Sequence, residues 1–597
     1  MILQRIEYPQ GGTFEEELYV RRTKSGVSLL GEEHKVITHG CYDEIAFNTY
    51  FNTFSVKKWR KYTNIQNIKL ELTISGMARV ILTTFAIAGF NVDEEIVFSQ
   101  VVNSDISKQY TFAYPACSDA SALSFRVVPL SENVVISEGA YTSDVNPAHM
   151  KNVNLALAIC TYRREDYVAR NINMLREEVF SKADSMLHGH IAAFISDNGN
   201  TLQPADFSDE HIHLFANKNS GGSGGFSRAA IEALRANDFQ PTHIILMDDD
   251  ISFNVYALER AFAFLRIIKD EYQVNMLGGA MFRTDQRAIQ HAAGETQTAT
   301  GIIFNKAGYN MFNIVDVLRN EVEEGINYLG WWFCCAPVKL FQASQFSLPL
   351  FVQYDDIEFG LRNNNVPKIT LNGICCWHIP FDKKWSAFKN YYTIRNRAIV
   401  NGMYFGEFTK KRLKRELLHE CFRRTLQFSY NEANLALRGA EDYLKGLSWL
   451  IQQNPQELNA EVISLSDKLL PVDQLELKYD SHELKYKYML QEGRVHNIVR
   501  KLTFNGWFLP ASKIVTVEVD DPPLRQLYLA KKALKYDINS EKGIVATKSY
   551  KEAFAIFNRM LKVFRDIDKN FDKVNAENKA MHDSVTSEEF WKDFLEF

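Results

Sequence analysis

Three adjacent aspartates, Asp248, Asp249 and Asp250, follow the apolar run 244–247. In an extended chain, residues two apart point to the same side, so Asp248 and Asp250 share a face. Hard divalent cations take carboxylate oxygens as ligands and bridge them to substrate phosphates. A solvated acidic loop or a helix cap explains one such aspartate, but not three after an apolar run. We therefore predict a divalent metal site at Asp248 and Asp250.

A second acidic group lies in the segment QYDDIEFGLR, which contains Asp355, Asp356 and Glu358 just before a predicted helix. A carboxylate that faces a hydroxyl group can act as a general base. Aspartate is also common as an N-terminal helix cap. The residues alone leave both interpretations open.

Three further motifs have both a structural and a functional interpretation. The glycines of NSGGSGGFSR let backbone amides approach an anion at a helix N-terminus, or form a plain flexible loop. Trp331 and Trp332 in GWWFCCAP suit a sugar ring or a hydrophobic core. His378, after an apolar strand, is a structural histidine or a third metal ligand.

The elements that must position these residues alternate from residue 153 onward. Predicted strands at VNLALAICTY, HIAAFISDNG, IHLFA and THIILMDDD are separated by helical segments. This order predicts a mostly parallel, Rossmann-like sheet covered by helices. Ligands bind beyond the carboxyl ends of such strands, where Thr161, Asp197, Asn219 and the aspartates fall.

The flanking regions differ in pattern, which predicts three domains. Residues 1–150 alternate β-branched and aromatic residues between turns, as in an antiparallel sandwich or barrel. Residues 151–400 form the α/β domain. Residues 401–597 are charged and helical in spacing.

Composition excludes some classes of function. The net charge of the 597 residues is -5, so no basic field indicates nucleic acid. The first residues lack a secretory signal pattern, and no apolar run is long enough for a membrane span. The eight cysteines form no CxxC pair, and we expect them to be reduced thiols of a cytosolic protein.

Taken in order, the motifs resemble one family. ICTYRRED, SDNGN, NSGGSGGFSR, LMDDDI, GWWFCCAP, YDDIEFGLR, WHIPF and YYTIRNR resemble family 2 glycosyltransferases with a GT-A fold. Within that family they are most similar to bacterial galactofuranosyltransferases of the mycobacterial galactan polymerase type. The resemblance covers the central domain and the three-part layout, and FNGWFLP extends it into the C-terminal region.

The resemblance implies a role for each candidate residue. Asp248, Asp250 and His378 would hold Mn²⁺ or Mg²⁺. Asp356 would be the catalytic base, with Asp355 beside it. The implied donor-binding residues are Thr161, Tyr162, Arg164, Asp197, Asn219 and Asp249, and those for the acceptor or sugar are Trp331, Trp332 and Glu358.

The implied reaction is an inverting transfer of galactofuranose from UDP-galactofuranose to a polysaccharide or glycolipid acceptor. Other nucleotide sugars (UDP-glucose, UDP-galactopyranose, dTDP-rhamnose) and a non-catalytic glycan-binding protein remain alternatives. A nucleotidyltransferase is disfavoured, because CTYRRED stands where a GxGTR-type loop is expected. The basic residues 410–415 with Arg423 and Arg424 predict peripheral contact with the inner face of the membrane. A homo-oligomer is compatible with the sequence.

Overall fold

The computed structural model describes all residues except 10–14, 23–27, 33–34, 90, 117–118, 382–385, 387 and 478–492. The chain divides into two compact units. The first consists of residues 1–218, 225–346 and 359–379, and the second of residues 219–224, 347–358 and 380–597. The three predicted domains, with boundaries at 150/151 and 400/401, stay a prediction.

Nine antiparallel strands form the first sheet of the first unit. They are β1 (Ile2–Arg5), β2 (Arg21–Arg22), β3 (Ser28–Glu32), β4 (Lys35–His39), β5 (Ile45–Ala46), β6 (Ile68–Ala88), β7 (Asn91–Ala113), β8 (Ala122–Pro129) and β9 (Val135–Ser143). Strand β6 pairs with β7 along one edge, and with β9 and then β8 along the other. The partner changes around Gly76, whose φ of +91° suits a residue without a side chain. The predicted antiparallel pairing is confirmed, but the strands form one continuous curled sheet.

A mixed eight-stranded sheet follows in the same unit, in the order β12-β11-β10-β13-β18-β14-β15, with β19 paired to β14. Its strands are β10 (Leu155–Thr161), β11 (Ile191–Asp197), β12 (Ile212–Ala216), β13 (His243–Asp248), β14 (Met276–Arg283), β15 (Gln290–Ala292), β18 (Cys334–Pro337) and β19 (Lys368–His378). The hairpin β16 (Glu295–Thr298) and β17 (Gly301–Phe304) is separate. Strands β10 to β13 are parallel, as predicted, whereas β18 is antiparallel to both neighbours.

The helices in this part of the chain follow the predicted alternation. They are α1 (Val56–Tyr62), α2 (Glu165–Leu175), α3 (Pro204–Phe207), α4 (Gly221–Arg235), α5 (Val255–Arg266), α6 (Ile314–Arg319), α7 (Val338–Ser344) and α8 (Asp355–Arg362). Nearly every residue of β10, β11 and β13 is buried. Continuous apolar strands of this kind are typical of a sheet that is covered on both faces.

The register of the parallel strands β10, β11 and β13 places their polar C-terminal residues side by side. Thr161 pairs with Asp197, and Cys160 pairs with Asp248, across neighbouring parallel strands. The side chains that end β10, β11 and β13 therefore lie at one edge of the sheet.

The second unit is mostly helical, as predicted. Its helices are α9 (Lys389–Tyr404), α10 (Lys410–Leu426), α11 (Tyr430–Tyr443), α12 (Gly446–Leu450), α13 (Pro455–Ser464), α14 (Arg494–Leu502), α15 (Tyr550–Thr586) and α16 (Glu588–Leu595). No helix among the described residues is long and apolar enough to cross a membrane.

The unit also contains a four-stranded sheet that the sequence interpretation missed. It consists of β20 (Leu470–Pro471), β21 (Lys513–Glu518), β22 (Ala530–Asp537) and β23 (Lys542–Thr547), in the order β20-β23-β22-β21. The prediction of an all-helical C-terminal region was therefore wrong for these residues. The short β-branched runs KIVTVE and GIVAT carried the signal, because such runs between turns are typical of strands.

Candidate functional site

The three predicted metal ligands lie together in the first unit. Asp248 ends β13, Asp250 follows it in a turn, and His378 ends β19. One ligand atom from each lies within 4.8 Å of the others. His378 Nε2 is 3.1 Å from Asp250 Oδ1, and both side chains are buried. Two carboxylates and an imidazole form a ligand set that would fit a divalent cation such as Mn²⁺.

Asp249 has a different environment, as the alternation of side chains predicts. Thr161 Oγ1 donates to Asp249 Oδ2 at 2.7 Å, and Arg164 Nη1 donates to Oδ1 at 2.8 Å. Arg164 Nη1 is also 2.9 Å from Asp250 Oδ2. Burial raises the pKa of Asp249, while Arg164 and Thr161 oppose this rise. Arg164 therefore offsets part of the repulsion among the three carboxylates.

The remaining predicted donor residues have distinct positions. Asp197 is buried, and its carboxylate accepts hydrogen bonds from the amides of Gly199, Thr201 and Leu202 at 2.7 to 2.9 Å. It therefore fixes the loop after β11. Tyr162, by contrast, is 42% exposed.

The glycine-rich segment forms the first turn of α4, so the alternative of a plain flexible loop was wrong. A Cβ on Gly225 would lie 2.1 Å from Cys160 Sγ, inside the first unit. In the second unit, Gly221 has φ +67°, and a Cβ there would lie 1.9 Å from the Phe351 carbonyl oxygen. Asn219 Oδ1 accepts from the Gly221 amide at 3.0 Å, so this predicted donor residue caps the turn.

The predicted base and its neighbour lie in the second unit, in the first turn of α8. Ser223 Oγ donates to Asp355 Oδ2 at 3.3 Å, and the Ile357 amide donates to Asp356 Oδ1 at 2.7 Å. Burial raises the pKa of both carboxyls, and the Asp355 charge raises that of Asp356 further. Asp356 thus accepts from one first-turn amide of α8, and the two carboxyls form a pair of raised proton affinity.

Glu358 has partners that the sequence interpretation missed. Its fully buried carboxylate accepts a hydrogen bond from Tyr404 Oη at 2.5 Å, and His582 Nε2 lies 2.8 Å from the same oxygen. His582 is 224 residues away in an ordinary helical run, so no local signal predicted this contact. A role for Glu358 toward the acceptor stays a prediction.

Both tryptophans lie in packed surroundings within the first unit. Trp331 makes edge-to-face contacts with Phe226 and Phe359, at centroid distances of 5.2 and 5.9 Å. Trp332 Nε1 donates to the Gly279 carbonyl oxygen at 3.0 Å. Each is 6% exposed. The core interpretation thus describes their present contacts, and their acceptor role stays a prediction.

The basic residues predicted to contact the membrane are largely paired with acids. Lys410 contacts Asp572, Lys414 contacts Asp568 and Arg412 contacts Glu416. Arg423 contacts Glu420 and Asp521, and Arg424 contacts Glu420 and Glu432. This pairing reduces the electrostatic attraction to an anionic surface that the sequence predicted for this stretch.

The cysteines that the structure describes form no disulfide. Cys41, Cys160, Cys334, Cys335, Cys375, Cys376 and Cys421 form no disulfide with one another, and five of them are buried. That they are reduced thiols in the cell stays a prediction. Cys117 lies outside the described residues.

Comparison with known proteins agrees with the family predicted from the motifs. Residues 3–144 match the family described as galactofuranosyltransferase 2 N-terminal. The chain is 25% identical over 442 residues to galactofuranosyltransferase GlfT2 of Mycobacterium tuberculosis, which covers 68% of this chain and 66% of that protein. It is also 25% identical over 441 residues to galactofuranosyltransferase GlfT2 of Mycolicibacterium smegmatis, covering 68% and 65%. The match thus spans just under two thirds of each relative, and the chain resembles galactofuranosyltransferases.

A solved structure is similar to a smaller degree. The mannosyltransferase PcManGT from Pyrobaculum calidifontis, in complex with GDP-Man and Mn²⁺, covers 54% of this chain and 83% of its own. Its TM-score is 0.29 at 14% identity, and we draw no conclusion from a likeness of this size.

Proposed function

We propose that the protein is an inverting, divalent-metal-dependent glycosyltransferase of the GT-A type. It transfers galactofuranose from UDP-galactofuranose to a hydroxyl group of a growing cell-surface polysaccharide at the cytoplasmic face of the membrane. One observation carries the proposal: Asp248, Asp250 and His378 converge at the strand ends of a chain that resembles galactofuranosyltransferases. The parallel strand order β12-β11-β10-β13 supports the fold assignment.

The donor side of the reaction uses the residues at the ends of β10, β11 and β13. Asp248, Asp250 and His378 would hold the divalent cation, which would offset the negative charge of the departing diphosphate. Arg164 and Thr161 fix the Asp249 carboxylate through hydrogen bonds. Asp197 holds the loop 198–202 in place beside the nucleotide. These residues bind and orient the donor, because positioning supplies much of the rate of such a transfer.

The acceptor side uses the carboxyl pair of α8. Asp356 accepts the proton of the acceptor hydroxyl, whose oxygen then bonds to the anomeric carbon from the face opposite UDP. The bond from that carbon to the UDP oxygen breaks, and UDP leaves with the electron pair. One displacement inverts the anomeric configuration and needs no covalent enzyme intermediate. The raised pKa of Asp356 suits a base that must retain the proton it receives.

Product analysis tests this proposal. The protein is incubated with UDP-galactofuranose, Mn²⁺ and a galactofuranose oligosaccharide, and the product is examined by mass spectrometry and NMR. We expect extension by galactofuranose with inverted anomeric configuration. Asp356→Asn should lower kcat by about 10² to 10⁴, the usual contribution of a general base. Asp238→Asn, at an exposed carboxylate of the first unit, is the matched control. Retained configuration, or full activity of Asp356→Asn, would contradict the mechanism.

A further inference from the structure

The C-terminal helices contact the segment that carries Asp355 and Asp356, and both lie in the second unit. His582, in α15, has Nε2 2.8 Å from Glu358 Oε1 and Nδ1 3.0 Å from Asp583 Oδ1. Each ring nitrogen thus faces a carboxylate oxygen, which can only accept a hydrogen bond. Nε2 can therefore donate to the buried Glu358 carboxylate, whereas Nδ1 faces the solvent-exposed carboxylate of Asp583.

The contact with His582 matters because Glu358 is fully buried. A buried carboxylate without a cationic or donor partner is strongly unfavourable, and loss of one partner is costly. Glu358 follows Asp356 by two residues on the same helical turn. His582, with Tyr404, therefore stabilises the position of the turn that contains Asp356.

A second set of hydrogen bonds connects the C-terminal helices to Asp355. Trp591, in α16, is fully buried, and its Nε1 donates to the Ser347 carbonyl oxygen at 3.0 Å. Ser347 Oγ donates to the Ser223 carbonyl oxygen at 3.1 Å, and Ser223 Oγ donates to Asp355 Oδ2 at 3.3 Å. A continuous series of hydrogen bonds thus runs from α16 to the carboxylate of Asp355.

We propose that His582 and Trp591, the C-terminal brace, are positioning residues that hold Asp355 and Asp356 in place for proton transfer. The proposal rests on the proposed function, in which Asp356 is the base. The brace acts through Glu358 and Ser347 rather than on the substrate.

Kinetics of full-length variants test the brace. His582→Ala removes the hydrogen-bond partner of Glu358, and Trp591→Phe keeps an aromatic ring but removes the donor to Ser347. We expect kcat to fall about tenfold to a hundredfold in His582→Ala, since small misplacements of a catalytic group have effects of this size. The KM for UDP-galactofuranose and the affinity for Mn²⁺–UDP should stay unchanged. His419→Ala, at an exposed histidine of α10, should match the wild type.

Rescue separates positioning from general loss of fold. In the double variant Glu358→Gln with His582→Ala, the buried side chain is a neutral amide, which loses less than a carboxylate when the His582 partner is absent, so kcat should recover in part. Trp591→Phe should lower kcat without lowering the melting temperature by more than a few degrees.

The two proposals fail in different ways. Wild-type kcat in both His582→Ala and Trp591→Phe, with Asp356→Asn inactive, would overturn the brace alone. Full activity of Asp356→Asn would overturn the proposed base and the brace with it. A fall in kcat with an equal loss of Mn²⁺–UDP affinity, and no rescue, would show a merely structural role and also overturn the brace.

Discussion

The proposed metal site depends on three single residues. Asp248, Asp250 and His378 offer three potential ligand atoms within 4.8 Å of one another. We predict that Asp248→Ala weakens Mn²⁺ binding at least tenfold, because a hard cation loses a charged oxygen ligand. Titration followed by electron paramagnetic resonance measures this without any assay of activity. Asp583→Ala, at an exposed carboxylate, is the control, and an unchanged affinity in Asp248→Ala would refute the site.

The pH dependence follows from the carboxyl pair. A base must be ionised to accept a proton, and burial together with Asp355 raises the pKa of Asp356 above its ordinary value of 3.8. Activity should therefore be lost as pH falls through this raised pKa and be present above it.

Substitution of the neighbour tests the cause of that shift. Asp355→Asn removes the adjacent negative charge, so the pKa of Asp356 falls and the acid limb of the kcat profile moves to lower pH. The measured quantity is the pH at which kcat falls on the acid side, and it is compared between the variants independently of their maximal kcat. A limb that stays in place, or moves to higher pH, would contradict the pairing of these two carboxyls.

For single residues, the sequence predicted those parts of the site that depend on neighbouring positions in the chain. Three aspartates after an apolar run predicted which two would share a face, and the structure brings those two together with His378. The sequence did not indicate the contacts of Glu358 with Tyr404 and His582, because these partners are 46 and 224 residues away. Such contacts depend on tertiary packing and leave no periodic pattern.

Elements of the first unit are joined by a buried ion pair. Arg260, in α5, has Nη2 3.1 Å from Glu7 Oε1, and both side chains are almost fully buried. Arg260 also donates to the carbonyl oxygens of Phe51 and Asn372. Burial raises the pKa of Glu7 to about 8, which Arg260 opposes. This pair connects the N-terminal strands to the α/β sheet within one unit.

Loss of one partner should therefore destabilise the unit. We predict that Arg260→Met lowers the free energy of unfolding by about 3 to 5 kcal/mol, since a buried carboxylate is left without its cation. Chemical denaturation measures the change. Lys69→Met, at a surface ion pair with Asp144, is the control and should cost less than about 1 kcal/mol. Equal effects of the two substitutions would contradict this account.

Element types were predicted best where the hydrophobic pattern was long. The strands and helices between 153 and 248 and the helices of the second unit follow the predicted order. The sheet β20–β23 was missed because its strands are short and lie among charged residues, and in such runs the period of two is weak. Antiparallel pairing of β18 was not predictable either, because the pattern along one strand does not specify its direction.

The whole molecule has an apolar surface that bears on membrane contact. Helix α14 exposes Val495, Ile498 and Leu502, with 57% to 75% of each side chain accessible. It also carries Arg494, Arg500 and Lys501. A basic helix with an exposed apolar face suits an anionic membrane surface. The predicted peripheral contact is thus better placed here than on the paired residues of α10.

Vesicle sedimentation tests this location. We predict that the protein sediments with vesicles of phosphatidylglycerol and phosphatidylcholine, and that Ile498→Glu with Leu502→Glu reduces the bound fraction severalfold. Each substitution replaces an exposed apolar side chain by a negative charge, which an anionic lipid surface repels. Ile106→Glu, at an apolar residue of β7 that is 75% exposed, should bind as the wild type does. A wild-type protein that stays wholly in the supernatant would refute membrane contact.

The proposed donor is the central claim, and one measurement tests it most directly. UDP release is followed with Mn²⁺ and a galactofuranose oligosaccharide, using UDP-galactofuranose, UDP-galactopyranose and UDP-glucose in parallel. We predict release from UDP-galactofuranose alone, and its loss with EDTA or in Asp248→Ala, because Asp248 supplies a metal ligand. Release from a pyranose donor would contradict the galactofuranose assignment, and release that persists in EDTA would contradict the metal mechanism.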